Sequence, residues 1–133
     1  MVNGKWESIP IFVRMNLEEF RDHCLSKKGV TEETPFGPEV LVYKVLGKMF
    51  SSTGIDRIPP SANLKCDPDK AIQLRNEYKS ILPGYHMNKL HWNTIILESE
   101  LDDRFIKELI DHSYNLVVSG LPKTQQLELA KTD

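Results

Sequence analysis

At 133 residues the chain is sized for one domain with a core of its own. Its 40% hydrophobic and 27% charged residues are ordinary for a globular protein, and exclude a disordered or fibrous chain. The net charge of −2 argues against a strong, general binder of phosphate backbones.

In chain order, residues 1–14 match no element cleanly and read as a tag, an upstream translation or a loosely attached arm. Met15 offers a second start. Asn16 with Glu19 forms a capping-box opening for a first helix. Leu17, Phe20 and Cys24 share its buried face, and Gly29 is expected to end it. After Pro35, Gly37 and Pro38 the pattern turns to strand over Val40 to Leu46. Gly47-Lys48 then Met49-Phe50 predicts a tight hairpin with Gly at the first turn position. Ala62, Leu64 and Cys66 alternate with Ser61, Asn63 and Lys65, as in a half-buried strand. Asp67-Pro68 starts a second helix whose buried face is Ala71, Leu74 and Tyr78.

Pro83-Gly84 interrupts the chain before its densest functional segment, Gly84 to Ile95. This holds Tyr85, His86, Asn88, Lys89, His91, Trp92 and Asn93, and is expected to form a short strand, a turn near Lys89-Leu90 and a strand over residues 91–98. The last helix carries Phe105, Ile106, Leu109, Ile110, Ser113, Leu116 and Val117 on its core face and stops at Gly120. Residues 123–133 are expected to be a frayed polar tail. The order is helix, three strands, helix, two strands, helix: a single α+β domain over residues 15–122, with a mainly antiparallel sheet covered by helices on one face.

Several motifs occur together in order: Pro35-Phe36-Gly37-Pro38, Gly47-Lys48-Met49-Phe50, Asn63-Leu64-Lys65-Cys66-Asp67-Pro68, Gly84-Tyr85-His86-Met87-Asn88-Lys89, His91-Trp92-Asn93-Thr94 and Asp111-His112-Ser113-Tyr114. From about Met15 to Lys123 the chain resembles the MmcQ/YjbR family. That resemblance implies a CyaY-like α-β-β-β-α-β-β-α fold. It also implies DNA binding through a double-wing arrangement of hairpins, a label that rests on shape.

Charge bears on that expectation. Residues 40–66 carry Lys44, Lys48, Arg57 and Lys65 against Asp56, a net +3. Lys89 raises the strand-bearing segments to +4, leaving −6 for the remainder. A weakly basic sheet backed by acidic helices is compatible with an anionic ligand. The candidate contacts are Lys48, Arg57, Asn63, Lys65, Tyr85, His86, Asn88, Lys89, His91 and Trp92. The competing structural reading is that Trp92 packs under the sheet, Tyr85 and Asn88 fix the turn, and Asn93 bonds backbone.

Other chemistry is weaker. Asp111-His112-Ser113 names triad residues, but neighbours on a helix point in different directions. His112 is expected at the sheet–helix boundary and Cys24 in the core. His86 and His91 could meet across a turn near Cys66, yet no metal-ligand spacing is present, so neither metal nor cofactor is expected. Glu18, Glu19 and Asp22 read as a solvated face.

Two cysteines are too few for a disulfide framework and fit a reducing compartment. The first 14 residues lack the apolar core of a signal peptide, and no apolar run approaches a membrane span. The expectation is a cytoplasmic, monomeric, non-enzymatic protein with nucleic acid as its salt-dependent ligand. A protein-interaction module and a binder of a small anionic metabolite, held by Lys65, His86 and Lys89, are the alternatives.

Overall fold

A computed structural model of the chain describes residues 14–131. Residues 1–13 and the final two lie outside that range. The elements are α1 (Leu17–Leu25), β1 (Val30–Glu33), β2 (Val40–Val45), β3 (Lys48–Gly54), β4 (Ser61–Lys65), α2 (Pro68–Glu77), β5 (Ile81–Pro83), β6 (Trp92–Ile96), α3 (Asp103–Ser119) and α4 (Lys123–Ala130). One sheet runs β1-β2-β3-β4-β6-β5 with every neighbouring pair antiparallel. The expected α+β class holds.

The helix starts follow local chemistry. Asn16 Oδ1 accepts from Glu19 N at 2.8 Å while Glu19 Oε1 accepts from Asn16 N at 3.0 Å, closing the capping box of α1. Asp67 caps α2 ahead of Pro68, and Asp102 caps α3. Apolar residues of these helices pack on one sheet face. Phe20, Cys24, Leu74, Ile106, Ile110 and Tyr114 meet Tyr43, Val45, Phe50, Ala62, Leu64 and Ile95 in a single core. Strand alternation sends Asn63 and Lys65 to the opposite face, because Ala62 and Leu64 face the helices. In β3 the register jumps between Tyr43↔Ser51 and Lys44↔Met49, leaving Phe50 as a bulged residue. Phe50 lies edge-on to Tyr114, with ring centroids 5.7 Å apart.

Four local expectations are corrected. The β2–β3 turn has Leu46 first (φ +48°) and Gly47 second (φ +84°). A turn with both central residues left-handed matches the twist of the strands, so Gly47 serves the second position and Leu46 is the strained one. Gly29 does not directly end α1, which closes at Ser26; it takes φ +72° in the turn to β1. The strand before the functional segment is Ile81–Pro83, not part of it, and β6 stops at Ile96. A proline is tolerated there because β5 is an edge strand.

The fourth correction concerns elements that sequence pattern does not predict. β1 is an edge strand with few apolar residues, laddered to β2 and flanked by ion pairs: Glu32 accepts from Arg21 Nε at 2.6 Å and Nη2 at 3.0 Å, and Glu33 pairs with Lys44 at 3.1 Å. The expected frayed tail contains α4, anchored by buried Leu129. A Cβ on Gly29 would lie 2.6 Å from Leu129 Cδ1, so this glycine makes room for the helix as well as its own turn.

If α4 is part of the fold, Leu129→Ala should cost about 2 kcal/mol, the low end for a buried leucine, in urea denaturation. A change within roughly 0.5 kcal/mol, typical of a surface position, would show α4 to be dispensable.

Candidate functional site

The sheet face away from the core is floored by polar side chains in one row. The registers Ser52↔Asn63 and Asn63↔Thr94 place three neighbours side by side across β3, β4 and β6. Asn63 Nδ2 donates to Ser52 Oγ at 3.2 Å, and Thr94 Oγ1 donates to Asn63 Oδ1 at 2.6 Å. Thr94 Oγ1 in turn accepts from Tyr85 N at 2.8 Å. These bonds fix the orientation of the Asn63 amide. An amide nitrogen carries two hydrogens, so one of them remains for a ligand.

Residues 84–91 form a braced loop beside this row. Gly84 N donates to Trp92 O at 2.9 Å, and a Cβ on Gly84 would lie 2.8 Å from Trp92 Cβ and 3.0 Å from its carbonyl oxygen. Only glycine permits that approach. Lys89 Nζ donates back to Gly84 O at 2.9 Å, and Asn88 Oδ1 accepts from Leu90 N at 2.8 Å. From α2, Arg75 donates through Nη2 to Lys89 O at 2.6 Å and through Nε to Asn93 Oδ1 at 2.8 Å. The bracing holds His86 at φ +57°, a left-handed conformation that costs a non-glycine residue about 1 kcal/mol.

Loop and floor enclose a pocket of about 430 Å³. Ser52 and Asn63 line it with Phe36, Met49, Arg57, Tyr85, His86 and Met87. The Arg57 guanidinium lies 4.5 Å from the centroid of the Tyr85 ring, and the His86 ring is 4.0 Å from the same ring. Phe36 is 70% exposed and Tyr85 51%, so the rim is aromatic and wet. Asp56 also lines the pocket and offsets the charge of Arg57.

The ten predicted contacts thus separate into groups. Asn63, Arg57, Tyr85 and His86 converge on this pocket. Lys48, Lys65 and Trp92 line another cavity at one end of the sheet. Asn88, Lys89 and His91 brace the loop: His91 O accepts from Cys66 N at 2.8 Å, and the Lys89 ammonium sits on Gly84 O. The expected convergence of Lys65, His86 and Lys89 is therefore not formed. Trp92 is 8% exposed and has too little free surface to stack on a base. The structural reading of Asn88 and Asn93 holds, since Asn93 Nδ2 donates to Ala71 O at 3.4 Å. Sequence reasoning passed over Arg75, Phe36 and Thr94 as parts of the site. A lone basic residue late in a helix carries no local signal of the loop it will hold.

The triad residues diverge as expected. Asp111 bridges His23 Nε2 at 2.8 Å and Lys27 Nζ at 2.5 Å; burial opposes its charge, but the hydrogen bonds with Lys27 and His23 hold its carboxyl below the usual range. Ser113 Oγ donates to Lys65 O at 2.6 Å, and Asp67 N donates to His112 Nε2 at 3.3 Å. Cys24 is fully buried, which pushes its thiol up to about 12, and burial raises Cys66 as well. Glu18, Glu19 and Asp22 are exposed. Among the described residues no three His, Cys, Asp or Glu side chains gather closely enough to hold a metal ion. No described helix is long and apolar enough to cross a membrane.

One antiparallel sheet with helices on one face and a walled pocket on the other defines a small α+β domain of the type its motifs imply. The YjbR family model matches residues 25–116, and the chain belongs to that family. It is 46% identical over 92 residues to the uncharacterized protein YbdF of Escherichia coli O157:H7, covering 69% of this chain and 75% of that one. It is 30% identical over 112 residues to the uncharacterized protein YjbR of Escherichia coli K12, covering 84% and 95%. Among solved structures, the Deinococcus radiodurans protein DR2400, described with the domain DUF419, superposes with a TM-score of 0.80 at 35% identity over 89% of each chain. A Pseudomonas syringae protein gives 0.67 at 28% identity, covering 77% of this chain and 98% of that one.

His112 supplies a pH test of the sheet–helix joint. Burial first, then nearby Lys70, lowers its pKa below 6.5, and the ring must be neutral at Nε2 to accept from Asp67 N. The unfolded chain protonates first as pH falls, so stability should be full above about 6.5 and decline below it. His112→Gln, which keeps an acceptor but cannot titrate, should flatten urea midpoints measured between about pH 5 and 7. Parallel profiles for both proteins would contradict this placement of the proton.

Proposed function

We propose that the protein is a non-enzymatic binding module that takes single-stranded nucleic acid on the walled sheet face, one unstacked base at a time. The observation that carries this reading is the Asn63 amide, oriented by Ser52 and Thr94 on the floor of a pocket rimmed by Phe36 and Tyr85. An aromatic ring and an arginine plane suit the face of any base, while a fixed amide can read a base edge. The pocket is concave and has Asp56 beside Arg57. Duplex DNA asks instead for a projecting basic element, so a single strand is the better fit.

A second reading is favoured by the same rim. Ile58 is 95% exposed and Ile55 51%, both on the β3–β4 loop whose Asp56 and Arg57 line the pocket. Exposed aliphatic side chains suit an apolar protein segment better than a phosphate backbone.

Fluorescence anisotropy with labelled ten-base oligonucleotides at about 50 mM salt or below separates the two, because electrostatic association is strongest there. The nucleic-acid reading expects single strands to bind better than blunt duplex. Tyr85→Ala should weaken them by about 1–3 kcal/mol, the worth of one stacked base. Asn63→Ala should change the preference among homopolymers. Absence of binding by the wild type at low salt would sink this reading and leave the protein-segment reading ahead.

A further inference from the structure

We propose that the cavity between Lys48, Lys65 and Trp92 is a second, separate binding pocket, for a small oxyanion, carboxylate or phosphate, carried on an aromatic or aliphatic body. This goes beyond the nucleic-acid reading and does not depend on it. The pocket arises from unequal strand lengths. β3 begins at Lys48, but its pairing with β4 begins only at Ser51↔Leu64, while β4 stops at Lys65 opposite Trp92. A notch of about 370 Å³ is left at this end of the sheet, with Met49, Leu116 and Leu121 among its apolar lining.

The notch carries two cations, exposed Lys48 and half-buried Lys65. No acidic side chain lines it. Lys27 and Lys44 each meet a carboxylate and Lys89 a carbonyl, but among the described residues Lys48 and Lys65 have no ion pair. The Trp92 indole N–H likewise finds no acceptor among those residues. Two like charges beside an apolar hollow, with a spare donor, ask for an anion whose attached body fills the hollow. Lysines near the C-terminal carbonyls of α3 would also answer the helix dipole, but that role needs no cavity. The two explanations differ in what an uncharged body adds to binding.

Trp92 reports directly once Trp6, the other tryptophan, is replaced by Phe in the full chain. Its emission is titrated with phenyl phosphate, phenylacetate, inorganic phosphate and benzyl alcohol. The proposal expects saturable changes with the first two, and at least about tenfold weaker binding of inorganic phosphate and benzyl alcohol, which lack the body or the charge. Preference between the first two separates phosphate from carboxylate as the natural head group. Lys48→Gln with Lys65→Gln should weaken the phenyl anions about tenfold or more, Lys48→Arg with Lys65→Arg should restore much of that, and Tyr85→Ala should change nothing. Three results would overturn it: no saturable change, inorganic phosphate binding as well as phenyl phosphate, or a Gln pair that lowers melting temperature while leaving binding intact.

Discussion

The hydrogen-bonded row Ser52–Asn63–Thr94, continued into the backbone of Tyr85, is the constraint on which the candidate site rests. It exists because three antiparallel strands share one register, and a slip of one residue would send every member to the core face. Thr94 and Ser52 are nearly buried, and each finds its partner within the row. Buried hydroxyls and amides left unpaired cost more than paired ones gain, so the row specifies its own geometry. The Asn63 amide is thus held still before any ligand arrives, which lowers the ordering cost of binding.

From that floor the walls follow. Thr94 pins the start of the loop, Gly84 allows it to lie against Trp92, and Arg75 ties its far end to α2. No helix residue lines the pocket, yet Arg75 of α2 braces the loop that walls it. Charge is distributed to match. Acidic side chains crowd α1, while Arg57 at the pocket and Lys48 and Lys65 at the notch have no carboxylate partner among the described residues.

Much of the fold was legible because its signals are local. Asn16 with Glu19, Asp67 with Pro68, and the apolar stripe of α3 each state a helix without help from distant residues. Strand β1 and helix α4 were not legible, since what holds them lies outside their own segments: the β2 ladder and Arg21–Glu32 for one, Leu129 over Gly29 for the other. The candidate site was half legible. Its polar and aromatic residues stood out by density, but sequence gives no way to tell Lys89, whose ammonium turns back on its own loop, from Lys65, which does not. Trp92 misled for a similar reason: a large aromatic in a polar segment signals a surface, whereas this one is 8% exposed.

The proposed ligand face is the walled one around Asn63. Mapping backbone amide shifts by ¹⁵N NMR while titrating a short single-stranded oligonucleotide at low salt tests it most directly. Shifts are expected at Arg57, Asn63, Tyr85, His86 and Thr94, with α1 and the outer face of α3 unmoved. Shifts centred on those helices, or spread evenly over the surface, would contradict it.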